Sequence, residues 1–170
     1  PSLLTGREKY TVLSTPGVES VQEMIVSFAS WRKPGGGKKA FILVGLDTAR
    51  SGVQPWNIIE GSPAELKTPN SLAVDKSYLK DLGIAGIGAY AEVNQQRVKV
   101  AALTGAIRSF TTLPFGFTSI DTARKLIGAS PEQATYQLVT IAPGANVEEV
   151  RAALAERMPD NEVLTHAEFR

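Results

Sequence analysis

Three glycines in the stretch DLGIAGIGAYAEV (81–93) raise the possibility of a phosphate-binding loop. A dinucleotide loop requires a strand before the glycines and a helix after them, so that the pyrophosphate meets the helix N-terminus. Here the pattern predicts the reverse order, because YLKDL is helical and AYAEV is a strand. The spacing G-x-x-G-x-G is also the reverse of the fingerprint. We therefore interpret Gly83 as a helix C-cap and Gly86 and Gly88 as turn residues, and we expect no cofactor.

Two other residues, His166 and Asp47, are candidates for chemistry. His166 is the one histidine of the chain, and the nearby Glu168 gives only weak support for its acting as a base. Asp47 follows a predicted strand in VGLD, where an aspartate usually caps a turn. One histidine without any cysteine argues against zinc, and no serine-hydrolase or metalloprotease motif is present. We therefore predict no catalytic, cofactor-binding or metal-binding residue and do not expect an enzyme.

An apolar segment, SFTTLPFGFTS (109–119), clusters Phe110, Leu113, Phe115 and Phe117 around a proline and a glycine. An exposed apolar loop is typical of a contact site for a partner or an apolar substrate. The alternative is that these side chains form the core of a small lobe, which needs such residues, and this alternative is favoured. Leu113, Phe115 and Phe117 are nevertheless the best candidates for a partner contact.

The composition is that of a folded domain. The chain has 170 residues, 43% of them hydrophobic and 21% charged, and its formal net charge is +1. No block of like charge indicates a nucleic-acid partner, and the lack of cysteine excludes disulfides. No apolar run approaches the roughly 18 residues that cross a bilayer. We expect the chain to be soluble by itself, which is compatible with its being part of a longer membrane protein.

Helix-start signals occur at three places, where a capping residue is followed three positions later by an acidic one. These caps are Thr5, Thr118 and Asn146, with Gly128 ending the second helix. A shorter helix is predicted over 76–82, after Asp75. In the last helix, apolar residues recur at helical spacing and predict a buried stripe. They are Val147, Val150, Leu154 and Met158.

The predicted strands lie at 18–31, 39–46, 89–93, 98–102, 136–142 and 162–165, and PGGG joins the first two as a hairpin. The order is α-β-β, an irregular middle, then β-α-β. This order predicts an α+β fold in which both chain ends (1–58 and 131–170) build one ferredoxin-type sandwich. Residues 59–130 are then an inserted mixed α/β lobe.

The ordered set of segments resembles a known transporter family. "TPGVESVQEMIVSFASWRKP", "FILVGLD", "LAVDKSYLKDLGI", "VNQQRVKVAAL", "TARKLIG" and "TIAPGANVEEVRAALAERMPDNEVLTHAEF" occur in the order found in MacB/FtsX-like ABC transporter permeases. They resemble the large extracytoplasmic domain between the first and second membrane helices of these permeases. The "FASWRKP" segment and the "PGANVEEV…LTHAEF" ending are most similar to DevC-type permeases.

The resemblance implies a porter-like lobe formed by both chain ends, with Pro1 after one membrane helix and Arg170 before the next. It places the full protein in the inner (plasma) membrane as a homodimer and this part of it in the periplasm. A cytoplasmic ABC ATPase subunit would hydrolyse ATP, and the domain would pass the motion to a periplasmic adaptor (membrane fusion) protein. One departure concerns Gln95, where the family often has a glycine, so a different hairpin turn is expected there.

Two functional hypotheses remain open from the sequence. The first is a non-catalytic domain of an ABC exporter that couples ATP hydrolysis to an adaptor, and the second is a periplasmic lipid or small-molecule binding module. A hydrolase that uses His166 or Asp47 has little support. A deep apolar pocket would favour the binding module, whereas exposed apolar side chains would favour docking.

Overall fold

A computed structural model describes residues 6–47, 57–105, 113–129 and 136–158 of the chain. The predictions for Thr5, Phe110, His166 and the strand at 162–165 lie outside these residues. The helices are α1 (Gly6–Leu13), α2 (Leu79–Leu82), α3 (Ile120–Ile127) and α4 (Val147–Arg157), with 3-10 turns at Pro63–Lys67 and Lys76–Tyr78. The strands are β1 (Val18–Arg32), β2 (Lys38–Leu46), β3 (Ile58–Glu60), β4 (Ser71–Asp75), β5 (Tyr90–Val93), β6 (Gln96–Thr104), β7 (Phe115–Ser119) and β8 (Tyr136–Ile141).

Side-chain caps explain where the helices begin. The Asn146 side chain accepts hydrogen bonds from the backbone N–H groups of Glu148 (2.9 Å) and Glu149 (3.1 Å), which confirms it as the cap of α4. The cap of α3 is Ser119, which accepts from the Thr122 N–H at 3.2 Å. The prediction of Thr118 was wrong by one position, because Thr118 belongs to β7 and its buried hydroxyl donates to the Ser71 carbonyl.

The predicted buried stripe of α4 is confirmed in its last three members. Val150, Leu154 and Met158 are buried, whereas Val147 is 49% exposed. Val147 is the first residue of the helix and therefore lies beyond the surface on which the later turns pack. The stripe fixes α4 against β1 and β8 in a cluster of buried residues that we call the chain-end cluster. Its members are Val12, Val21, Val150, Leu154 and Met158.

The strands form one mixed sheet, and the α+β class is confirmed. Its strand order is β2-β7-β4-β6-β5-β1-β8, and β3 pairs with β6. Because β1 also pairs with β2, the six strands β1, β2, β7, β4, β6 and β5 close into a ring. The inner faces of these strands, together with α3, supply a fully buried inner cluster. It includes Ile25, Trp31, Phe41, Leu72, Val98 and Leu126.

The long strand β1 takes part in both cores. Its first part, Val18 to Met24, pairs with β8, and from Met24 to Arg32 it pairs with β2. Trp31 and Phe41, which the prediction placed in the lobe of both chain ends, pack in the inner cluster beside Val98 from the predicted insertion. The inner cluster therefore draws residues from both predicted domains, and it meets the chain-end cluster along β1. The division into two domains (1–58 with 131–170, and 59–130) stays a prediction.

Candidate docking surface

The last part of the predicted apolar loop, Phe115–Ser119, is strand β7, so the interpretation of these residues as a loop was wrong. β7 is parallel to β2 and antiparallel to β4, and it lies between them. A Cβ on Gly116 would lie 2.9 Å from the Phe41 ring and 3.0 Å from the Ala73 carbonyl oxygen. Glycine therefore interrupts the aromatic residues because the inner face of β7 has no space for a side chain at this position.

The structure separates the three residues that the sequence selects as partner contacts. Phe117 is only 4% exposed and packs with Leu46 and Leu66 in a second buried group, the outer cluster. Phe115 is half-buried at the border of this cluster, with its ring centroid 5.5 Å from that of Phe117 and 5.9 Å from that of Tyr78. Leu113 is also half-buried. For Phe117 the structure agrees with the core alternative, whereas a partner contact by Leu113 and Phe115 stays a prediction.

A residue that the sequence analysis missed extends this surface. The register aligns Phe28 of β1 with Ile42 of β2, and Ile42 with Phe115 of β7. Residues that face each other across strands have Cβ atoms about 5 Å apart and share one face of the sheet. We call Phe28, Ile42 and Phe115 the apolar row. Exposure increases along it, from the half-buried Phe115 and Ile42 to Phe28, which is 74% exposed.

The sequence carried a signal for Phe28. Side chains alternate between the two faces of a strand, so Ile25 and Trp31, which are separated by an even number of positions, share a face. Both are fully buried, and Phe28 is out of phase with them. A large aromatic residue on the opposite face from the buried pair indicates either a second core or an exposed contact. Phe28 is 74% exposed and therefore does not belong to a second core.

The apolar row lies on a well-anchored part of the sheet, toward the end of the β1–β2 hairpin. A strand of 15 residues such as β1 runs for about 45 Å, and the chain-end cluster packs on its first part. Near the hairpin end, the Trp31 indole donates to the Leu82 carbonyl at 2.9 Å, and its ring lies 5.2 Å from that of Phe41. The hairpin end, residues 32–38, is thus fixed to α2 and far along β1 from the chain-end cluster.

The glycine stretch has the predicted order of elements. Gly83 ends α2 in the left-handed conformation (φ 69°), which confirms it as the C-cap. Gly86 and Gly88 also have positive φ, and the chain then enters β5. The helix precedes the glycines and the strand follows them, so the arrangement of a dinucleotide loop is absent from this described stretch.

The remaining candidates for chemistry are Asp47 and His166. Asp47 is half-buried directly after β2, and His166 lies outside the described part of the chain. The buried Asp75 carboxylate accepts from the Ser77 N–H (3.1 Å), the Ser77 hydroxyl (2.6 Å) and the Thr104 hydroxyl (3.0 Å), so it acts as a cap. Within the four described ranges, no group of three or more histidine, aspartate or glutamate residues is placed to hold a metal.

A shallow depression of about 350 Å³ lies at the hairpin end. Its lining is mostly charged and consists of Arg32, Lys33, Pro34, Tyr90, Ala91, Glu92 and Arg97. In the described part of the chain, no helix is both long enough and apolar enough to cross a bilayer.

Comparisons with known proteins agree with this fold. The family model described as "MacB-like periplasmic core domain" matches residues 4–157. The extracellular domain of the noncanonical ABC-type transporter YknZ from Gram-positive bacteria is similar in structure, with a TM-score of 0.69 at 14% identity over 95% of this chain and 85% of that one. The periplasmic region of MacB from Actinobacillus actinomycetemcomitans gives a TM-score of 0.64 at 15% identity, over 92% and 73% of the two chains.

A domain of a putative permease from Porphyromonas gingivalis is also similar, with a TM-score of 0.59 at 13% identity over 95% of this chain and 73% of that one. No curated protein matches the chain. At these identities the structural similarities show a common fold, and the family match covers most of the sequence.

Proposed function

The chain belongs to the family of MacB-like periplasmic core domains, the extracytoplasmic regions of ABC-type transporter permeases, and from this premise we propose that it is a non-catalytic coupling domain of an exporter. In this role it passes the motion produced by ATP hydrolysis in the cytoplasm to a periplasmic adaptor protein. The ATPase is a separate subunit, and the permease works as a homodimer in the inner membrane. The narrower assignment to DevC-type permeases belongs to the same proposal.

The apolar row is the observation that supports docking. Aromatic residues in the centre of protein interfaces carry a large share of the binding energy. Phe28 is 74% exposed, although it pairs with Ile42, which in turn pairs with Phe115. Exposure of a phenylalanine next to other apolar side chains is typical of an interaction site. We therefore place the adaptor contact on the apolar row, with the exposed Phe28 as its main anchor and Phe115 and Leu113 at the opposite edge.

The position of the row supports a partner that approaches from the periplasm. α1 and α4, which come from opposite ends of the chain, pack together in the chain-end cluster on the first part of β1. In the proposed permease both chain ends continue into membrane helices, so this cluster faces the membrane. The apolar row lies toward the other end of β1 and is therefore accessible to a soluble adaptor.

The alternative function, a lipid or small-molecule binding module, is favoured by no specific observation. It predicts a deep apolar pocket behind the aromatic segment. Phe117 instead fills the outer cluster, and the depression at the hairpin end is lined mainly by charged side chains.

Replacement of Phe28 by alanine in the full permease tests the proposal. We expect crosslinking to the adaptor and export to fall about tenfold or more, because an interface anchor typically contributes about 2 kcal/mol. The melting temperature should stay nearly unchanged, since the ring is mostly in solvent. Tyr10→Ala is the matched control, because Tyr10 is 75% exposed but lies on α1.

Phe117→Ala supplies the contrasting case. Removal of a buried phenylalanine lowers the free energy of unfolding by about 3–5 kcal/mol. Its loss of export would come from misfolding and would appear in the melting temperature. Normal adaptor crosslinking by a well-folded Phe28→Ala permease would contradict docking on the apolar row.

A further inference from the structure

A row of charged residues crosses four neighbouring strands next to the apolar row. The register aligns Lys38 of β2 with Arg32 of β1, Arg32 with Glu92 of β5, and Glu92 with Arg97 of β6. Because paired residues share a face, these four side chains lie on the outer face of the ring. We call them the charged row. It contains three cations and a single carboxylate.

The charges within the row do not balance one another. Lys38 and Arg32 stand directly opposite each other, and like charges in this position destabilise a sheet. Glu92 forms a long ion pair with Arg32, in which 3.9 Å separates the Arg32 Nη1 from the Glu92 Oε2. The Arg32 side chain is 61% exposed and the Glu92 side chain is 43% exposed. An exposed pair of this kind contributes little stability. The row therefore keeps an excess of positive charge that costs the isolated domain energy.

Neighbouring side chains shape this excess charge into a site. The Arg97 guanidinium carbon lies 4.1 Å from the centroid of the Tyr90 ring, which is a cation–π contact that orients the planar group. Lys33 packs its aliphatic stem close to Gly83, where an added Cβ would lie 3.2 Å from the Lys33 Cβ. Lys33, Tyr90 and Arg97 line the depression of about 350 Å³ together with Arg32 and Glu92.

We propose that the charged row binds an acidic segment of the protein that docks on the apolar row, with its aspartate or glutamate carboxylates seated between Arg32, Lys33 and Arg97. This inference rests on the proposed docking function and adds the chemistry of the partner. Guanidinium groups match carboxylates with two parallel hydrogen bonds, and an arginine fixed by stacking loses less entropy on binding. The whole chain carries a net charge of only +1, so the excess is local to this surface.

The distance between the two rows fits one interface. Arg32 is four residues from Phe28 on the same face of β1, which corresponds to about 13 Å. Protein interfaces commonly have an apolar centre and a polar rim, and complementary charge at the rim selects the partner and accelerates association. An anionic membrane surface would also attract the cations. The hairpin end, however, lies far along β1 from the chain-end cluster that faces the membrane in the proposed permease.

The experiment uses the whole chain and a fluorescein-labelled oligo-glutamate peptide as the probe, with binding measured by fluorescence anisotropy at low salt. The double variant Arg32→Glu/Arg97→Glu should bind the peptide about tenfold or more weakly, because it reverses two charges of the site. The matched control is Arg151→Glu/Arg157→Glu, which makes the same change of net charge on α4 and should bind normally. Circular dichroism confirms that both variants are folded.

Three outcomes overturn the inference. The first is that the unchanged protein does not bind the peptide, and the second is that both double variants lose peptide affinity equally. The third is that the protein binds phosphatidylglycerol vesicles through Arg32 and Arg97 more tightly than it binds the peptide. The peptide assay is independent of the adaptor. If the Phe28→Ala permease crosslinks to the adaptor normally and the unchanged chain binds the peptide, only the apolar row is rejected. If Phe28→Ala loses the crosslink but the unchanged chain does not bind the peptide, only the charged row is rejected.

Discussion

At the scale of single residues, the turn between β5 and β6 places Gln95 in a left-handed backbone conformation that is unfavourable for glutamine. Asn94 (φ 50°) and Gln95 (φ 70°) are both left-handed, and Val93 pairs with Gln96 across them. Two positive φ values in a two-residue hairpin loop are the pattern of a type I′ turn, for which Asn-Gly is the preferred sequence. The expectation of a different turn at Gln95 was therefore wrong. The turn is held by Asn94, whose side chain binds both the Ser30 N–H (2.9 Å) and the Leu126 carbonyl (3.1 Å).

Gln95→Gly should raise the free energy of unfolding by about 0.5–1 kcal/mol, because glycine adopts a positive φ without the steric cost that glutamine has. Urea denaturation followed by circular dichroism measures the change. Asn94→Gly is the matched control at the neighbouring left-handed position. It relieves a smaller backbone cost, because asparagine tolerates a positive φ, and it loses two side-chain hydrogen bonds, so it should lower the stability. A loss of stability in Gln95→Gly would show that the turn does not have this conformation.

At the scale of elements, local signals predicted what depends on a few neighbouring residues. Asn146 and Gly83 were assigned correctly because a cap interacts within one helical turn. β7 was missed because its partners β2 and β4 are distant in the sequence, and because Gly116 interrupts the apolar alternation. The apolar row depends on the same long-range pairing, so the position of the exposed Phe28 in one row with Ile42 and Phe115 was not predictable from local pattern.

A buried ion pair joins α3 to β1 where the two cores meet. The Arg124 Nη2 lies 3.4 Å from the Glu23 Oε2, and the side chains are 9% and 12% exposed. Glu23 pairs with Gln137 of β8, and the next residue, Met24, is the first that pairs with β2. The ion pair therefore fixes α3 to β1 at the change from one core to the other.

Arg124→Met should lower the free energy of unfolding by about 3–5 kcal/mol, because it leaves the Glu23 charge buried without this partner. The double variant Glu23→Leu/Arg124→Met should recover most of the loss, since it removes both charges. Chemical denaturation of the single and double variants gives the coupling energy. Arg151→Met is the control, because Arg151 forms an exposed pair with Glu148 at 3.8 Å and should cost less than about 1 kcal/mol. Equal losses of unfolding free energy in Arg124→Met and Arg151→Met would contradict a stabilising buried ion pair between α3 and β1.

At the scale of the whole molecule, β1 makes the chain-end cluster and the ring depend on each other. Val21 belongs to the chain-end cluster, while Ile25 and Trp31 of the same strand belong to the inner cluster. β1 is paired with β8 up to Met24 and with β2 from Met24 onward, so it resists bending where the two cores meet. This continuity supports the proposed role, because a displacement of the chain ends would reach Phe28 and Arg32 through a single element.

Leu154→Ala tests whether the molecule behaves as one cooperative unit. Leu154 lies in the chain-end cluster, and its truncation should lower the free energy of unfolding by about 2–5 kcal/mol. If β1 couples the two cores, hydrogen exchange should accelerate together in peptides from α4 and β8 and in peptides from β4 and β6 of the ring. Val147→Ala is the control on the same helix, because Val147 is 49% exposed and should change the stability by less than about 0.5 kcal/mol. Faster exchange in α4 and β8 alone would mean that the chain-end cluster opens independently of the ring. A displacement of the chain ends would then cause local unfolding and would not reach the docking surface.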